Sequence, residues 1–359
     1  MKEKEQKIKI LIVDDSFFMR SLLKSLLTQH PEFEVVGTAK NGIEAIRMAE
    51  ELKPDVISMD INMPLMNGIE ATKAILKHAG PVPTVVMFSA YAREGAEETF
   101  ECLRAGAVDY IMKPLAELPM NLNDVEEEII SKLRAAASAK VHSFKDIQKE
   151  EAGVYKEVET KKAPSAQRIV IIGSSTGGPP LVENILMALP SDIKASFIVV
   201  QHMPKFFTES FARRLNNVTQ IPVKEAEDRD AVTEGKVYVS PGNFYMNFVK
   251  APMFNPGEVG LSVFLTPEIQ HAGLQSIDMA MSAISKVFKG EVISIILTGM
   301  GQDGLEGSAA VKSHGGYVIA QSPETAVVDS MPRAIIENGL ADEVLSPEKI
   351  IKRIIELCQ

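Results

Sequence analysis

The chain has 359 residues, and 48 acidic against 38 basic side chains give a net charge of −10. The length predicts about two domains of roughly 150 residues each, and the acidity argues against a protein built to coat nucleic acid. Cys102 and Cys358 stand in no metal-like or redox-like spacing, which argues against a disulfide framework.

The charged start MKEKEQKIKI lacks the apolar core of a signal peptide. No run of about 18 uncharged apolar residues is present, so no membrane insertion is expected. A cytoplasmic location is the expectation.

The first part of the chain alternates strands and helices. IKILIVDD is a strand ending in acids, and FFMRSLLKSLLTQH is an amphipathic helix. EVVGTA, DVISMD, PTVVMFSA and VDYIMKP follow as strands. Between them lie the helical NGIEAIRMAEEL, capped by Asn41, then GIEATKAILKHA and AREGAEETFECLRAGA, and LNDVEEEIISKLRAAA closes the series. This order predicts an α/β fold with a doubly wound parallel sheet over residues 1–134. Residues 135–166 are charged and weakly apolar and read as a polar linker. A second α/β series occupies 167–359. RIVIIG, ASFIVVQH, VISIILTG and GGYVIAQ are its strands. PPLVENILMAL, FTESFARRLN, SIDMAMSAISKVF and GLEGSAAVKSHG are its helices, and VYVSPGNFYMNFV and VGLSVFLTP suggest added strands or hairpins.

In a parallel sheet the strand ends converge on one edge, where such folds place their sites. Asp14 and Asp15 end the first strand, Asp60 the third, Ser89 the fourth and Lys113 the fifth. Taken singly, each is a turn residue. Together, three carboxylates repel, and a hard cation such as Mg²⁺ is their natural neutraliser. A carboxylate beside a cation, a hydroxyl and a lysine can accept a phosphoryl group. These residues resemble those of a response-regulator receiver domain, which is flavodoxin-like, over roughly Ile8 to Leu133. The resemblance implies that Asp60 is the phosphoacceptor, with a histidine kinase as phosphodonor. It also implies that Asp14, Asp15 and the Asn62 carbonyl complete the metal pocket. Ser89 and Lys113 would contact the phosphoryl group, and Tyr110 would reorient with Ser89.

The stretch VIIGSSTGGPPLVENIL poses a different question. Its hydroxyls and glycines lie at a strand-to-helix turn, where they either cap the helix or hold a nucleophile beside free helix amides. It is not a P-loop, a dinucleotide fingerprint or a G-x-S-x-G elbow. His202 follows one strand and Asp303 another, so three strand ends offer Ser, His and Asp to one crevice, and triads are defined by geometry rather than order.

VIIGSSTGG, VVQHMP, YVSPGN, ILTGMGQDG and VIAQSPETAVVDSMP resemble the catalytic domain of the chemotaxis protein-glutamate methylesterases, from about Arg168 onward. That resemblance implies Ser175 rather than Ser174 as nucleophile, His202 as base and Asp303 as its orienting acid. Thr176 and Met300 would lie by the oxyanion. The segment HAGLQSIDMAM, from His271 to Met281, lacks the family's Arg-Pro but keeps His271, Ser276 and Asp278. The implied function is a phosphorylation-regulated serine esterase without a cofactor for its ester chemistry. It would demethylate glutamate methyl esters and deamidate glutamines on methylated chemoreceptors. A receiver-gated binding module with a vestigial triad is the second reading.

Overall fold

The computed structural model describes residues 7–77, 82–89, 93–113, 122–139, 168–252, 259–268, 276–288 and 290–359. The chain divides into two compact units, Met1–Tyr155 and Lys156–Gln359.

The first unit runs β1 (Ile8–Val13), α1 (Phe17–Thr28), β2 (Phe33–Ala39), α2 (Gly42–Leu52), β3 (Val56–Asp60), α3 (Gly68–Leu76), β4 (Thr84–Ser89), α4 (Arg93–Arg104), β5 (Asp109–Met112) and α5 (Leu122–Ser138). The strands form a parallel sheet in the order β2-β1-β3-β4-β5. This is the doubly wound order whose switch point lies between β1 and β3. β3 and β4 are buried along their whole length, as expected of strands covered on both faces. Helix starts are fixed by side chains: Asn41 accepts from Glu44 N at 2.9 Å and Asn67 from Glu70 N at 2.8 Å, each satisfying one orphan amide. The helix α5 continues through Ser138, and the rest of the expected linker, 140–166, lies outside the described residues.

The second unit runs β6 (Arg168–Ser174), α6 (Gly178–Met187), β7 (Ser196–Gln201), α7 (Phe207–Val218), β8 (Val223–Glu225), β9 (Ala231–Val232), β10 (Val237–Val239), β11 (Phe244–Pro252), β12 (Val259–Pro267), α8 (Ile277–Val287), β13 (Glu291–Ile296), α9 (Leu305–Ser313), β14 (Tyr317–Gln321), α10 (Ser330–Glu337), β15 (Glu343–Leu345) and α11 (Pro347–Cys358). Seven parallel strands lie in the order β15-β14-β13-β6-β7-β10-β8, and β11, β12 and β9 form a separate antiparallel sheet. The stretch VYVSPGNFYMNFV therefore splits at Ser240–Asn243: β10 joins the large sheet and β11 the small one.

The chain builds outward from β6 through β7 on one side, then returns to build from β13 on the other. The switch point is thus the carboxyl end of β6. Ile171, Ile198, Tyr238, Ile277, Met281, Ile296 and Met331 belong to the core beneath it. Cys102 and Cys358 are buried free thiols. Among the described residues, no helix is long and apolar enough to cross a membrane.

Candidate active site

The register of β6 and β7 sets the first pair of residues. Ser174 lies opposite Gln201, so Ser175 and His202 leave adjacent strands side by side at the switch point. Ser174 is fully buried, and its Oγ donates to Gln201 Oε1 at 2.6 Å. Ser175 is only half-buried and opens the turn into α6. Neither serine caps α6: its N-cap is Gly177, with φ 76° and no side-chain cap bond. A side chain at 177 would be strained by that φ and would press on Val327. The capping explanation for these hydroxyls therefore fails, and Ser174 serves packing and hydrogen bonding.

The Ser175 backbone is held on several sides. Its N–H donates to Thr298 O at 3.0 Å, and its carbonyl accepts from Gly178 N at 2.8 Å and Gln201 Nε2 at 3.0 Å. Thr298 Oγ1 donates to Thr176 O at 2.9 Å, and Thr298 N donates to Gln321 Oε1 at 2.7 Å. Two buried glutamines at strand ends, Gln201 and Gln321, thus brace the turn from opposite sides of β6. Gly299 is required by close approach, because a Cβ there would stand 2.8 Å from Ser175 Cβ and collide with Met331 Sδ.

Asp303 arrives on the loop after β13. His202 Nε2 lies 2.7 Å from Asp303 Oδ2. Asp303 also accepts from Ile277 N at 2.8 Å, Asp278 N at 2.9 Å and Gly304 N at 3.1 Å. Burial works against ionisation of Asp303, but the His202 hydrogen bond and charge, with the backbone amides, hold its carboxyl below the usual range. Among the described residues no hydrogen bond joins Ser175 Oγ to His202, an arrangement common before substrate tightens such sites. With Nε2 turned to Asp303, the ring nitrogen left for Ser175 is Nδ1. Thr176 is buried directly after Ser175, and Met300 is half-buried in the loop that carries Asp303.

The receiver unit places its charged residues around the ends of β1 and β3. Lys113 Nζ lies 2.8 Å from Asp14 Oδ2 and 2.7 Å from Asp60 Oδ1. One carboxylate oxygen from each of Asp14, Asp15 and Asp60 falls within 4.8 Å of the others. Burial, with repulsion from Asp14 and Asp15 behind it, pushes Asp60 up to about 6 against the pull of Lys113. Burial also disfavours the charge of Lys113, yet Asp14 and Asp60 hold its pKa above the ordinary value. One ammonium facing three carboxylates leaves negative charge and hard oxygen donors, which fit Mg²⁺. Arg20 donates to the Asp14 and Asp15 carbonyls at 2.7 and 3.0 Å, holding that loop. Gly68 admits the Asp60 backbone, since a Cβ there would strike the Asp60 carbonyl.

Ser89 is buried at the end of β4 and accepts from Thr99 Oγ1 at 2.9 Å. Asn62 is exposed, and its side chain donates to Glu98 Oε2 at 2.9 Å. Tyr110 is buried, with Lys132 Nζ 4.9 Å from its ring centroid and 2.7 Å from its carbonyl. Burial pushes its hydroxyl pKa well up.

Gln201, Thr298, Asp278 and Arg20 were not singled out by sequence reasoning as supports of these sites. Gln201 carried a signal, a polar residue ending an apolar strand immediately before His202. His271 lies outside the described residues, so of the divergent 271–281 segment only Ser276 to Met281 is seen.

An acidic pocket lies at the strand edge of one α/β unit, and Ser175, His202 and Asp303 lie around the switch point of the other. A family profile described as CheB methylesterase matches residues 170–354, and one described as response regulator receiver domain matches 10–121. The chain belongs to the CheB methylesterase family and carries a receiver domain before its methylesterase domain. It is 44% identical over 351 residues to a protein-glutamate methylesterase/protein-glutamine glutaminase of Thermotoga maritima, covering 98% of each chain. It is 40% identical to the protein of the same name from Pyrococcus horikoshii, covering 98% of this chain and 94% of that one. The crystal structure of the Thermotoga maritima CheB methylesterase catalytic domain is similar at 41% identity and a TM-score of 0.48, covering 54% of this chain and 99% of that one.

Proposed function

We propose that the protein is a phosphorylation-regulated serine esterase acting on the glutamate γ-methyl esters of chemoreceptors. The observation that carries this reading is the 2.7 Å His202–Asp303 pair, at the same sheet edge as the Ser175 turn. The names of the relatives supply the substrate class.

Ser175 Oγ attacks the ester carbonyl while His202 Nδ1 takes its proton. Asp303 fixes the ring and balances the imidazolium. The tetrahedral oxyanion lies near Thr176 and Met300, where backbone N–H donors would be worth most. Collapse expels methoxide, which leaves as methanol with the proton from His202. Water, deprotonated by His202, then opens the acyl-enzyme to release glutamate and restore Ser175. A glutamine side chain follows the same path with ammonia leaving, in line with the glutaminase half of the relatives' names.

Asp60 accepts the phosphoryl group from a histidine kinase. Asp14, Asp15, Asp60 and the Asn62 carbonyl would hold Mg²⁺, which when bound offsets the charge of the phosphoryl oxygens. Lys113 turns from Asp60 to the phosphoryl group, Ser89 donates to it, and Tyr110 adjusts with Ser89. The ester chemistry needs no cofactor, and the protein works in the cytoplasm. The test is mass spectrometry of receptor peptides incubated with the full chain, with and without a small phosphodonor. Conversion of methyl-glutamate and glutamine to glutamate, faster with the phosphodonor, is expected. Receptor that stays methylated under both conditions contradicts the reading.

A further inference from the structure

Asp303 and Asp278 exchange helix starts. Asp303, at the N-terminal side of α9, accepts from Ile277 N and Asp278 N at the start of α8. Asp278, in the first turn of α8, returns the contact: its Oδ1 accepts from Gly304 N at 2.9 Å and Gly307 N at 2.6 Å at the start of α9. Each carboxylate thereby satisfies orphan amides of the helix that carries the other. The glycines make the exchange possible. Gly304 has φ 102°, a conformation that favours glycine, and a Cβ at Gly307 would stand 2.7 Å from Met281 Cβ and 3.0 Å from Asp278 Cα.

We propose that Asp278 is a positioning residue for the hydrolase: by holding the start of α9 against α8 it aims Asp303 Oδ2 at His202 Nε2. This deepens the reading of Ser175, His202 and Asp303 as a catalytic set and rests on it. The Ile277 and Asp278 amides also hold the Asp303 carboxylate directly, but they do so only while the start of α9 stays against α8, and the loop that joins α9 to β13 carries Gly299, Gly301 and Gly304, two of them at positive φ. Such a loop is inexpensive to displace, so the aim of Asp303 depends on what its two ends are tied to. Ser276 Oγ contributes only a long contact of 3.5 Å to Asp303 Oδ1. Burial, and then the neighbouring Asp303 charge, push the Asp278 carboxyl above its ordinary range, while Gly307 N and Gly304 N pull it down. The contact between the two carboxylates is therefore costly, and the four amides around them are what sustain it.

The test uses the full chain in two variants and two readouts. One readout is the rate at which a fluorophosphonate probe labels Ser175, which needs Ser175, His202 and Asp303 but no receptor. The other is the downfield NMR resonance of the proton between His202 Nε2 and Asp303 Oδ2, which needs no turnover. Asp278→Ala is expected to slow labelling about tenfold to a hundredfold and to abolish the resonance. Asp278→Asn keeps an Oδ1 acceptor for Gly304 and Gly307, so both readouts should stay near those of the unaltered chain. A merely structural role would lower the melting temperature and leave both readouts of the folded protein alone. Unchanged labelling and resonance in Asp278→Ala overturn the proposal. So does loss of both in folded Asp278→Asn, which decides the matter alone if Asp278→Ala does not fold. Labelling of the unaltered chain without any receptor demethylation would overturn the substrate reading and leave this test standing.

Discussion

Gln201 Nε2 donates to the backbone carbonyl of Ser175 at 3.0 Å, while Gln201 Oε1 takes the hydroxyl of Ser174 at 2.6 Å. One buried amide therefore reads both serines, fixing the first by its side chain and the second by its backbone. Gln201→Ala is expected to leave the Ser174 hydroxyl without its acceptor and to cost about 1–3 kcal/mol of stability. Esterase activity should fall on the order of tenfold. Gln201→Glu should be worse, because a buried carboxylate would face the Ser175 carbonyl. Urea unfolding and initial rates on methylated receptor check both expectations. Equal activity of the Glu variant and the unaltered chain contradicts them.

Gly299 supplies a second expectation. A methyl group at 299 collides with Met331 Sδ, which can move, and stands 2.8 Å from Ser175 Cβ, which cannot move without carrying the Ser175 hydroxyl along. Gly299→Ala should lower kcat up to about a hundredfold and change KM little. Combining it with Met331→Ala relieves one clash only, so kcat should stay low. Full recovery in the double variant would show that Met331 rather than Ser175 takes the strain.

The strand ends were legible because each carries an apolar run broken by a polar residue, as at Ile8–Asp15 and Ser196–His202. Asp14, Asp15, Asp60 and Lys113 could be read together for that reason, whereas Ser175, His202 and Asp303 were singled out by the family resemblance, Asp303 lying in a glycine-rich loop beyond the end of its strand at Ile296. Strand order was not legible. Nothing local says that β6 lies between β7 and β13, or that residues 237–252 feed two sheets. The short strands β8, β9 and β15 have too few residues for a period. Asp278 escaped notice as a support of Asp303 because its partners, Gly304 and Gly307, are backbone donors some 26 to 29 positions away. Ser174 and Ser175 are told apart in the sequence by the resemblance, since Ser175 directly precedes Thr-Gly-Gly; the structure adds that Ser174 is fully buried and Ser175 half-buried.

Asp60 gives a pH-dependent stability. Its folded pKa of about 6 lies above the ordinary 3.8. A raised carboxyl favours folding while protonated and loses that advantage as pH rises through the folded pKa. Without divalent cations, Asp60→Asn should therefore stabilise the receiver by about 3 kcal/mol at pH near 7.5. The gain should shrink to about a fifth near pH 4, where Asp60 is protonated in the folded state and about half protonated in the unfolded one. Thermal unfolding at the two pH values checks this, and an equal gain at both contradicts it.

Regulation supplies a fourth expectation. The unphosphorylated receiver is expected to hold the hydrolase in check, by a coupling of about 1–3 kcal/mol, or roughly 5- to 150-fold. The fragment 167–359 should demethylate receptor faster than the unphosphorylated full chain. Phosphorylation by a small phosphodonor should need Mg²⁺ and disappear in Asp60→Ala. A fragment no faster than the full chain excludes simple inhibition, and label retained in Asp60→Ala with EDTA present places the acceptor elsewhere.

The central claim is that Ser175 is the nucleophile and Ser174 its buried neighbour. Methanol release from methylated receptor membranes by purified Ser174→Ala and Ser175→Ala, each checked for folding, tests it most directly. Ser174→Ala should keep a substantial part of the activity, since it loses one hydrogen bond to Gln201. Ser175→Ala should fall to the floor reached by His202→Ala, because members of a triad act as a unit. Sustained methanol release by Ser175→Ala would contradict the account.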